Sequence, residues 1–246
     1  FIVRKLWAYF VDPSPDETLV EQLAQQFRQG DYEIKPLLRT IFLSEAFYEE
    51  SARTQRIKSP TEFLVQALEQ LEIDVHAAAA SRQQVQLLLL AMRGLGQDLF
   101  DPPNVKGWPG DRSWIDTNTL LLRYNLVGFL VNGEVRIPQR EAALDETLEE
   151  IQRLIAEARA LQSLSALFDA RRFFRDYDGQ TFGEVVDAIA ERLLHRPING
   201  EQRRTLLRSF GERTSAEARF DLDAVSDLQL RGLVHLMTSL AEYQLC

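Results

Sequence analysis

The sequence is poor in cysteine, glycine, proline and long apolar runs, and each shortage excludes a class of structure. Its single cysteine, Cys246, excludes an intrachain disulfide and a metal site built from cysteines. With 12 glycines and 9 prolines in 246 residues, a turn-rich all-β fold is disfavoured. The longest uninterrupted apolar run, residues 87–92, is far shorter than the roughly 18 residues that a membrane-spanning helix needs. We therefore expect no membrane span.

Positive charge and metal-binding side chains are also scarce. The chain carries 28 basic and 37 acidic residues, and its formal net charge of −9 argues against nucleic acid as a partner. The three histidines, His76, His195 and His235, lie far apart in the sequence and lack the spacing of a metal site. The sequence contains neither a phosphate-binding P-loop nor a G-x-S-x-G elbow. We therefore predict no bound metal and no cofactor.

Apolar residues recur at helical spacing through most of the chain, and no long stretch alternates as a half-buried strand would. Two Ser-Pro-x-Glu motifs, residues 14–17 and 59–62, are typical helix starts in which the serine caps the first turn and the glutamate bonds back. The pattern predicts an all-α protein, an irregular multi-helix bundle with one long loop rich in Trp, Pro and Gly. The predicted helices span residues 1–11, 15–29, 34–49, 60–72, 82–95, 117–131, 140–160, 182–194, 200–211 and 226–243.

Residues 132–140 interrupt this pattern, because Gly133 and Pro138 punctuate the segment and a charged helix follows. We place a soft domain boundary there. It divides the chain into a helical core, residues 1–135, and a C-terminal helical subdomain, residues 136–246, and it leaves open whether the two pack together. The charged helix is either a solvated face or a surface for a partner helix.

Residues 96–116 are the most unusual segment. They hold two of the three tryptophans, Trp108 and Trp114, together with closely spaced prolines, glycines and aspartates. A loop of this length is uncommon in a compact domain unless it is functional or well packed. We predict that Trp108 is mostly buried. We also predict that a side-chain hydrogen bond of Asp101, Asn104 or Lys106 fixes the loop.

The same segment resembles the signature of the bacterial "domain of unknown function 1800" proteins. The resemblance implies a chain that is the C-terminal portion of a longer protein, with the N-terminal part of the family domain missing before Phe1. Members often carry export signals and are often encoded beside a sulfatase-like family, which implies a periplasmic or secreted protein. The resemblance names a family without assigning a reaction. The matching blocks are residues 99–110 (Leu-Phe-Asp-Pro-Pro-Asn-Val-Lys-Gly-Trp-Pro-Gly), 114–115, 119–125, 1–10, 42–48, 58–63 and 242–246.

Three interpretations of the loop remain open. In the first, the indoles only fill space between helices and the polar side chains cap backbone groups. In the second, indole faces stack on sugar rings while polar side chains bond to hydroxyls. In the third, two aspartates act as general acid and as base or nucleophile, with Asp101 paired to Asp111 or Asp116. The candidate binding residues are Asp101, Asn104, Lys106, Trp108, Arg112 and Trp114.

From these interpretations we favour a non-catalytic binding or assembly module. Its expected partner is a glycan, another polymer or another exported protein. The alternative is a hydrolase that acts on a polymer through paired aspartates.

Overall fold

A computed structural model describes residues 1–49, 56–74, 82–133, 168–194, 196–212 and 214–246. Within these ranges the chain forms eleven α-helices and three short 3-10 segments. The described residues contain no strand, and an isolated antiparallel bridge joins Thr181 to Arg219. The predicted all-α class is therefore confirmed. No helix in the same ranges is both long enough and apolar enough to cross a bilayer.

The helices fall into two compact units. The first unit comprises Phe1–Arg56 with Leu245–Cys246, and the second comprises Ile57–Gln244. Helices of the first unit are α1 (Ile2–Phe10), α2 (Glu17–Gln29), α3 (Ile34–Phe42) and α4 (Glu45–Tyr48). Helices of the second unit are α5 (Pro60–Gln70), α6 (Arg82–Gly94), α7 (Thr117–Asn132), α8 (Ala170–Phe174), α9 (Phe182–Leu194), α10 (Gly200–Arg208) and α11 (Asp227–Thr238).

The first unit buries one apolar stripe from each of its three longer helices. Burial of each such side chain contributes about 1.5–3 kcal/mol. An ion pair between Arg4 of α1 and Glu17 of α2 adds a polar link at the surface. The buried side chains of this core are Val3, Trp7, Val11, Val20, Leu23, Phe27, Leu37 and Ile41.

The second unit is built around α7, a helix that is apolar on most of its faces. Such a helix is expected in the interior of a domain, and its Val127, Leu130 and Val131 are buried. Gly128 lets α11 approach closely, because a Cβ at this position would lie 3.0 Å from Nε2 of His235. Helices α5, α9 and α11 complete the core with Phe63, Ile189 and Leu233, each almost fully buried.

Of the two Ser-Pro-x-Glu motifs, only the second caps its helix as predicted. Ser59 forms the predicted capping box, since its Oγ accepts from the Glu62 amide at 3.3 Å and the Glu62 carboxylate accepts from the Ser59 amide at 2.8 Å. The prediction that Ser14 caps the next helix is wrong. Asp16 is the N-cap of α2 and accepts from the Leu19 amide at 3.0 Å. Proline is favoured at the first helical position, where Pro60 lies in α5, but Pro15 precedes α2.

Most predicted helices are present with shifted ends. The span 34–49 divides at Leu43 into α3 and α4, and the span 226–243 ends its α-helix at Thr238 before a 3-10 turn. Three short helical segments were not predicted, Asp111–Trp114, Ala170–Phe174 and Arg175–Tyr177. The predicted helix 140–160 lies outside the described residues. The boundary proposed between residues 135 and 136 lies there too and stays a prediction.

The two serines of the repeated motif give a matched test of local capping. We expect Ser59→Ala to lower the free energy of unfolding by about 1 kcal/mol, because it removes the acceptor for a first-turn amide. Ser14→Ala should leave it unchanged, because Asp16 fills the cap. Urea denaturation followed by circular dichroism measures both. A loss with Ser14→Ala equal to that with Ser59→Ala would contradict the assignment of caps.

Candidate functional site

The segment between α6 and α7 is fixed at its entry. Oε1 of Gln97 accepts hydrogen bonds from the amide of Thr61 at 2.9 Å and from its hydroxyl at 2.8 Å, which joins the loop to the first turn of α5. Leu99 packs against the core of the second unit. Asp98 forms an ion pair with Arg93 at 3.3 Å. The entry is therefore held by polar and apolar contacts together.

The exit of the loop is fixed by a buried indole and a helix cap. Trp114 closes a short 3-10 turn and is buried. Asp116 is the N-cap of α7, and its Oδ1 accepts from the amides of Asn118 at 2.7 Å and Thr119 at 2.8 Å. The hydroxyl of Thr119 accepts from the Asp116 amide at 2.8 Å, which completes a capping box. The hydrogen bond from the Thr119 amide is the main reason that the pKa of Asp116 lies below its usual range.

Between these fixed ends, residues 100–106 form an exposed tip. Phe100 is 97% exposed and Val105 is fully exposed, although both side chains are apolar. Phe100 has a φ of +68°, a conformation that aromatic residues rarely adopt. Side chains of Asp101, Asn104 and Lys106 are exposed beside them. The tip thus presents two apolar side chains among polar ones.

A local hydrogen bond holds the tip, as expected from the sequence. Oδ1 of Asn104 accepts from the Lys106 amide at 2.8 Å, and the Asn104 carbonyl accepts from the Gly107 amide at 3.0 Å. An Asx turn and a β-turn therefore both begin at Asn104, a position for which asparagine is favoured. Gly107 continues the chain with a φ of +84°, which glycine adopts without strain. The prediction that one of three polar side chains fixes the loop is confirmed through Asn104.

The two indoles have different environments. Trp114 is 7% exposed, so its faces are covered and it acts as a support for the loop. Trp108 lies just after the tip and is only partly exposed, so most of its surface is covered, as predicted. Arg112, also a candidate binding residue, is exposed within the 3-10 turn. Of the two tryptophans, Trp108 alone keeps part of its side chain open to a ligand.

The three candidate catalytic carboxylates are not joined to one another by hydrogen bonds. Asp101 and Asp111 are exposed, and Asp116 is engaged as a helix cap. Asp111 has a φ of +49°, which aspartate tolerates better than most residues. No group of three or more His, Cys, Asp or Glu side chains in the described ranges is arranged to hold a metal ion.

A second polar cluster lies in the interior of the second unit, and none of its residues is among the candidates predicted from the sequence. Arg123 of α7 is 0% exposed and donates from Nη2 to the Lys58 carbonyl at 2.7 Å and from Nη1 to Oε1 of Gln244 at 3.4 Å. Its guanidinium also lies over the Phe63 ring, 4.8 Å from the centroid. We call Lys58, Arg123, Tyr243 and Gln244 the buried polar cluster.

Lys58 completes the cluster from the other side. It is 1% exposed, its Nζ donates to the Tyr243 carbonyl at 2.8 Å, and it lies 4.3 Å from the centroid of the Tyr243 ring. Burial lowers the pKa of Arg123 to about 10, against a smaller opposite effect of Glu62. Burial also raises the pKa of the Tyr243 hydroxyl. Arg123 therefore stays charged at neutral pH, and Tyr243 stays neutral.

One signal in the sequence could have identified Arg123. It is the only charged residue in α7, whose other residues are apolar or uncharged polar. A cation in a helix that is buried on most faces must itself be buried and needs polar partners. Its partners Lys58 and Gln244 are 65 and 121 positions away, so the sequence does not reveal them.

The cap formed by Asp116 has a pH dependence with a defined sign. Its native pKa is lowered, so its contribution to stability is fully present above the unfolded pKa of about 3.9 and is lost as pH falls through the lower native value. We expect Asp116→Ala to lower the urea midpoint at pH 7, and the difference from wild type should shrink at pH 3 and below. Asp101→Ala is the control and should leave the midpoint unchanged at each pH. A penalty for Asp116→Ala that is constant down to pH 2 would contradict this role.

Comparison with known proteins places the chain in a family. The model of a family described as "Protein of unknown function (DUF1800)" matches residues 1–245. No curated protein and no solved structure matches the chain. The match covers both units, the loop of residues 96–116 and all residues of the buried polar cluster. The chain therefore belongs to the DUF1800 family.

Proposed function

We propose that this chain is a non-catalytic binding or assembly module whose contact surface is the tip formed by residues 100–106. The observation that carries the proposal is the exposure of Phe100 and Val105 on a loop whose two ends are fixed. Apolar side chains that project from a fixed support gain free energy when a partner covers them. A fixed support also reduces the entropy that is lost on binding.

The chemistry of the tip suits a mixed apolar and polar partner. Asp101 offers a carboxylate, Lys106 an ammonium group, and Asn104 is occupied in the turn through its Oδ1. Trp108 and Arg112 lie next to the tip in the sequence and extend the surface. A surface of this kind can bind a polymer that has both apolar faces and hydroxyl groups, such as a glycan. It can also bind another protein. Trp114 belongs to this proposal as the support of the loop.

The hydrolase alternative has less support. Catalysis by two carboxylates requires one that is free to exchange a proton with substrate. Asp116 is engaged with two backbone amides of α7, which favours its ionised state and removes it as a general acid. Asp101 and Asp111 are exposed side chains on a loop, without the burial that tunes catalytic acids.

The contact surface can be tested by comparing variants that remove exposed apolar side chains inside and outside the tip. The double variant Phe100→Ser, Val105→Ser removes both apolar side chains of the tip, and Leu228→Ser removes another apolar side chain that is 78% exposed. We would titrate each protein with a panel of soluble polysaccharides while following tryptophan emission, and measure self-association by light scattering. Trp108, next to the tip, serves as the reporter.

We expect wild type and Leu228→Ser to respond to at least one polysaccharide or to self-associate, with apparent affinity at least tenfold weaker in the double variant. Loss of one well-covered apolar side chain costs about 1.5–3 kcal/mol, which is tenfold or more in affinity. Equal behaviour of the double variant and Leu228→Ser would contradict the proposed surface. No response from wild type in either measurement would contradict both a glycan partner and self-assembly through the tip.

A further inference from the structure

The first unit carries a continuous row of aromatic side chains at its surface. Two of them lie at the end of α1, one ends α3, and two belong to α4. Ring centroids of successive members are 4.9–5.2 Å apart, and each pair meets edge to face. These contacts make the row one surface instead of scattered side chains. With the adjacent Leu43 we call it the aromatic face, which comprises Tyr9, Phe10, Phe42, Leu43, Phe47 and Tyr48.

Much of the aromatic face is open to solvent. Tyr9 is 58% exposed, Tyr48 is 64% exposed and Leu43 is 67% exposed. The guanidinium of Arg56 lies over Tyr9, 4.8 Å from the ring centroid, and covers only part of it. Since an aromatic side chain has about 200 Å² of surface, these fractions leave about 400 Å² of apolar surface uncovered. Patches of this size on a single chain are often binding sites.

Charged side chains of opposite sign lie on the two sides of Leu43. Lys35, Arg39 and Leu43 follow one another at the spacing that places side chains on one side of a helix. The amide of Leu43 donates to the Arg39 carbonyl at 3.1 Å, so Leu43 continues the last turn of α3. Glu45 follows as the first residue of α4. All three charged residues are exposed, and none has an ion-pair partner in the part of the chain that the structure describes.

This order of cations, apolar centre and carboxylate is complementary to itself. When a second copy is turned by 180°, Arg39 of one copy faces Glu45 of the other, and symmetry repeats the same contact at the opposite end. The apolar centres then cover each other. Charge complementarity of this kind fixes the orientation of two partners.

The uncovered apolar area also agrees with the needs of a dimer. An interface of standard size buries about 800 Å² on each partner, and somewhat more than half of that area is apolar. The aromatic face offers about 400 Å² of apolar surface, and the charged side chains beside it supply a polar rim. We propose that the aromatic face is a two-fold interface between two copies of this chain. The tip formed by residues 100–106 takes no part in it.

Sedimentation equilibrium of the full chain tests whether a second copy binds. We expect the average mass of wild type to rise from one chain toward two as the concentration approaches about 100 µM, since even weak interfaces of this size form in the micromolar range. The double variant Leu43→Ser, Tyr48→Ser should weaken the dimer at least tenfold. Both side chains are largely exposed, so the fold should be retained, which circular dichroism checks. Leu228→Ser is the control and should dimerise as wild type does. A wild type that stays monomeric at 100 µM would overturn the proposal.

A charge reversal tests the two-fold pairing itself. Arg39→Glu places like charges opposite each other at both ends of the dimer, and so does Glu45→Arg. Each variant alone should therefore dimerise at least tenfold more weakly than wild type at low salt. An equimolar mixture of the two should regain the dimer, because both contacts in the mixed pair join opposite charges. A mixture that associates no better than either variant alone would overturn the pairing.

The tip variant separates this interface from the proposed function. Phe100→Ser, Val105→Ser keeps the aromatic face intact and should dimerise as wild type does. Loss of the dimer in this variant would assign self-association to the tip and overturn the proposal. Failure of the aromatic face to pair would leave the polysaccharide titration of the tip unaffected.

Discussion

The hydrogen bonds that fix the two ends of residues 96–116 are the constraint on which the proposed function depends. A loop of this length has few helical hydrogen bonds, so its backbone must be held by turns, side chains and burial. Gln97 provides this at the entry through Thr61, and Asp116 provides it at the exit through the first turn of α7. Trp114 adds a large buried area next to the exit. Because both ends are fixed, the exposed Phe100 and Val105 project from a defined support.

The buried polar cluster has a related role inside the second unit. Arg123 contacts residues from the start of α5 and from the end of the chain in one set of hydrogen bonds. Loss of one partner would leave the guanidinium buried with fewer hydrogen bonds, which is costly because a buried charge must be compensated. The loop and the cluster share α7, since Asp116 starts this helix and Arg123 lies two turns further along. The start of α5 is also common to both, through Thr61 in its first turn in one case and Lys58, just before its N-cap, in the other.

The positions of most helices could be predicted from the sequence, because the spacing of apolar residues is a local property. In both units the predicted apolar faces form the core. Local motifs were less reliable. The same Ser-Pro-x-Glu pattern caps α5 through Ser59, but at α2 the cap is Asp16, since either residue satisfies the first-turn amides. Trp108 and Trp114 are chemically identical and six positions apart, and only the packing of the loop decides that Trp114 is the buried one. Contacts such as Lys58 with Tyr243 join residues 185 positions apart, which sequence periodicity cannot detect.

The central claim is that the loop of residues 96–116 is held at both ends while its tip, residues 100–106, stays exposed. Amide hydrogen exchange of the full chain tests this claim most directly. The amides of Asn118 and Thr119 and those of the 3-10 turn are hydrogen-bonded to the loop exit, so peptides spanning 113–120 should be protected. Peptides covering the exposed residues 101–106 should exchange much faster. Protection at both ends with fast exchange at the tip is the predicted result. Uniformly fast exchange from residue 97 to residue 120 would contradict the account.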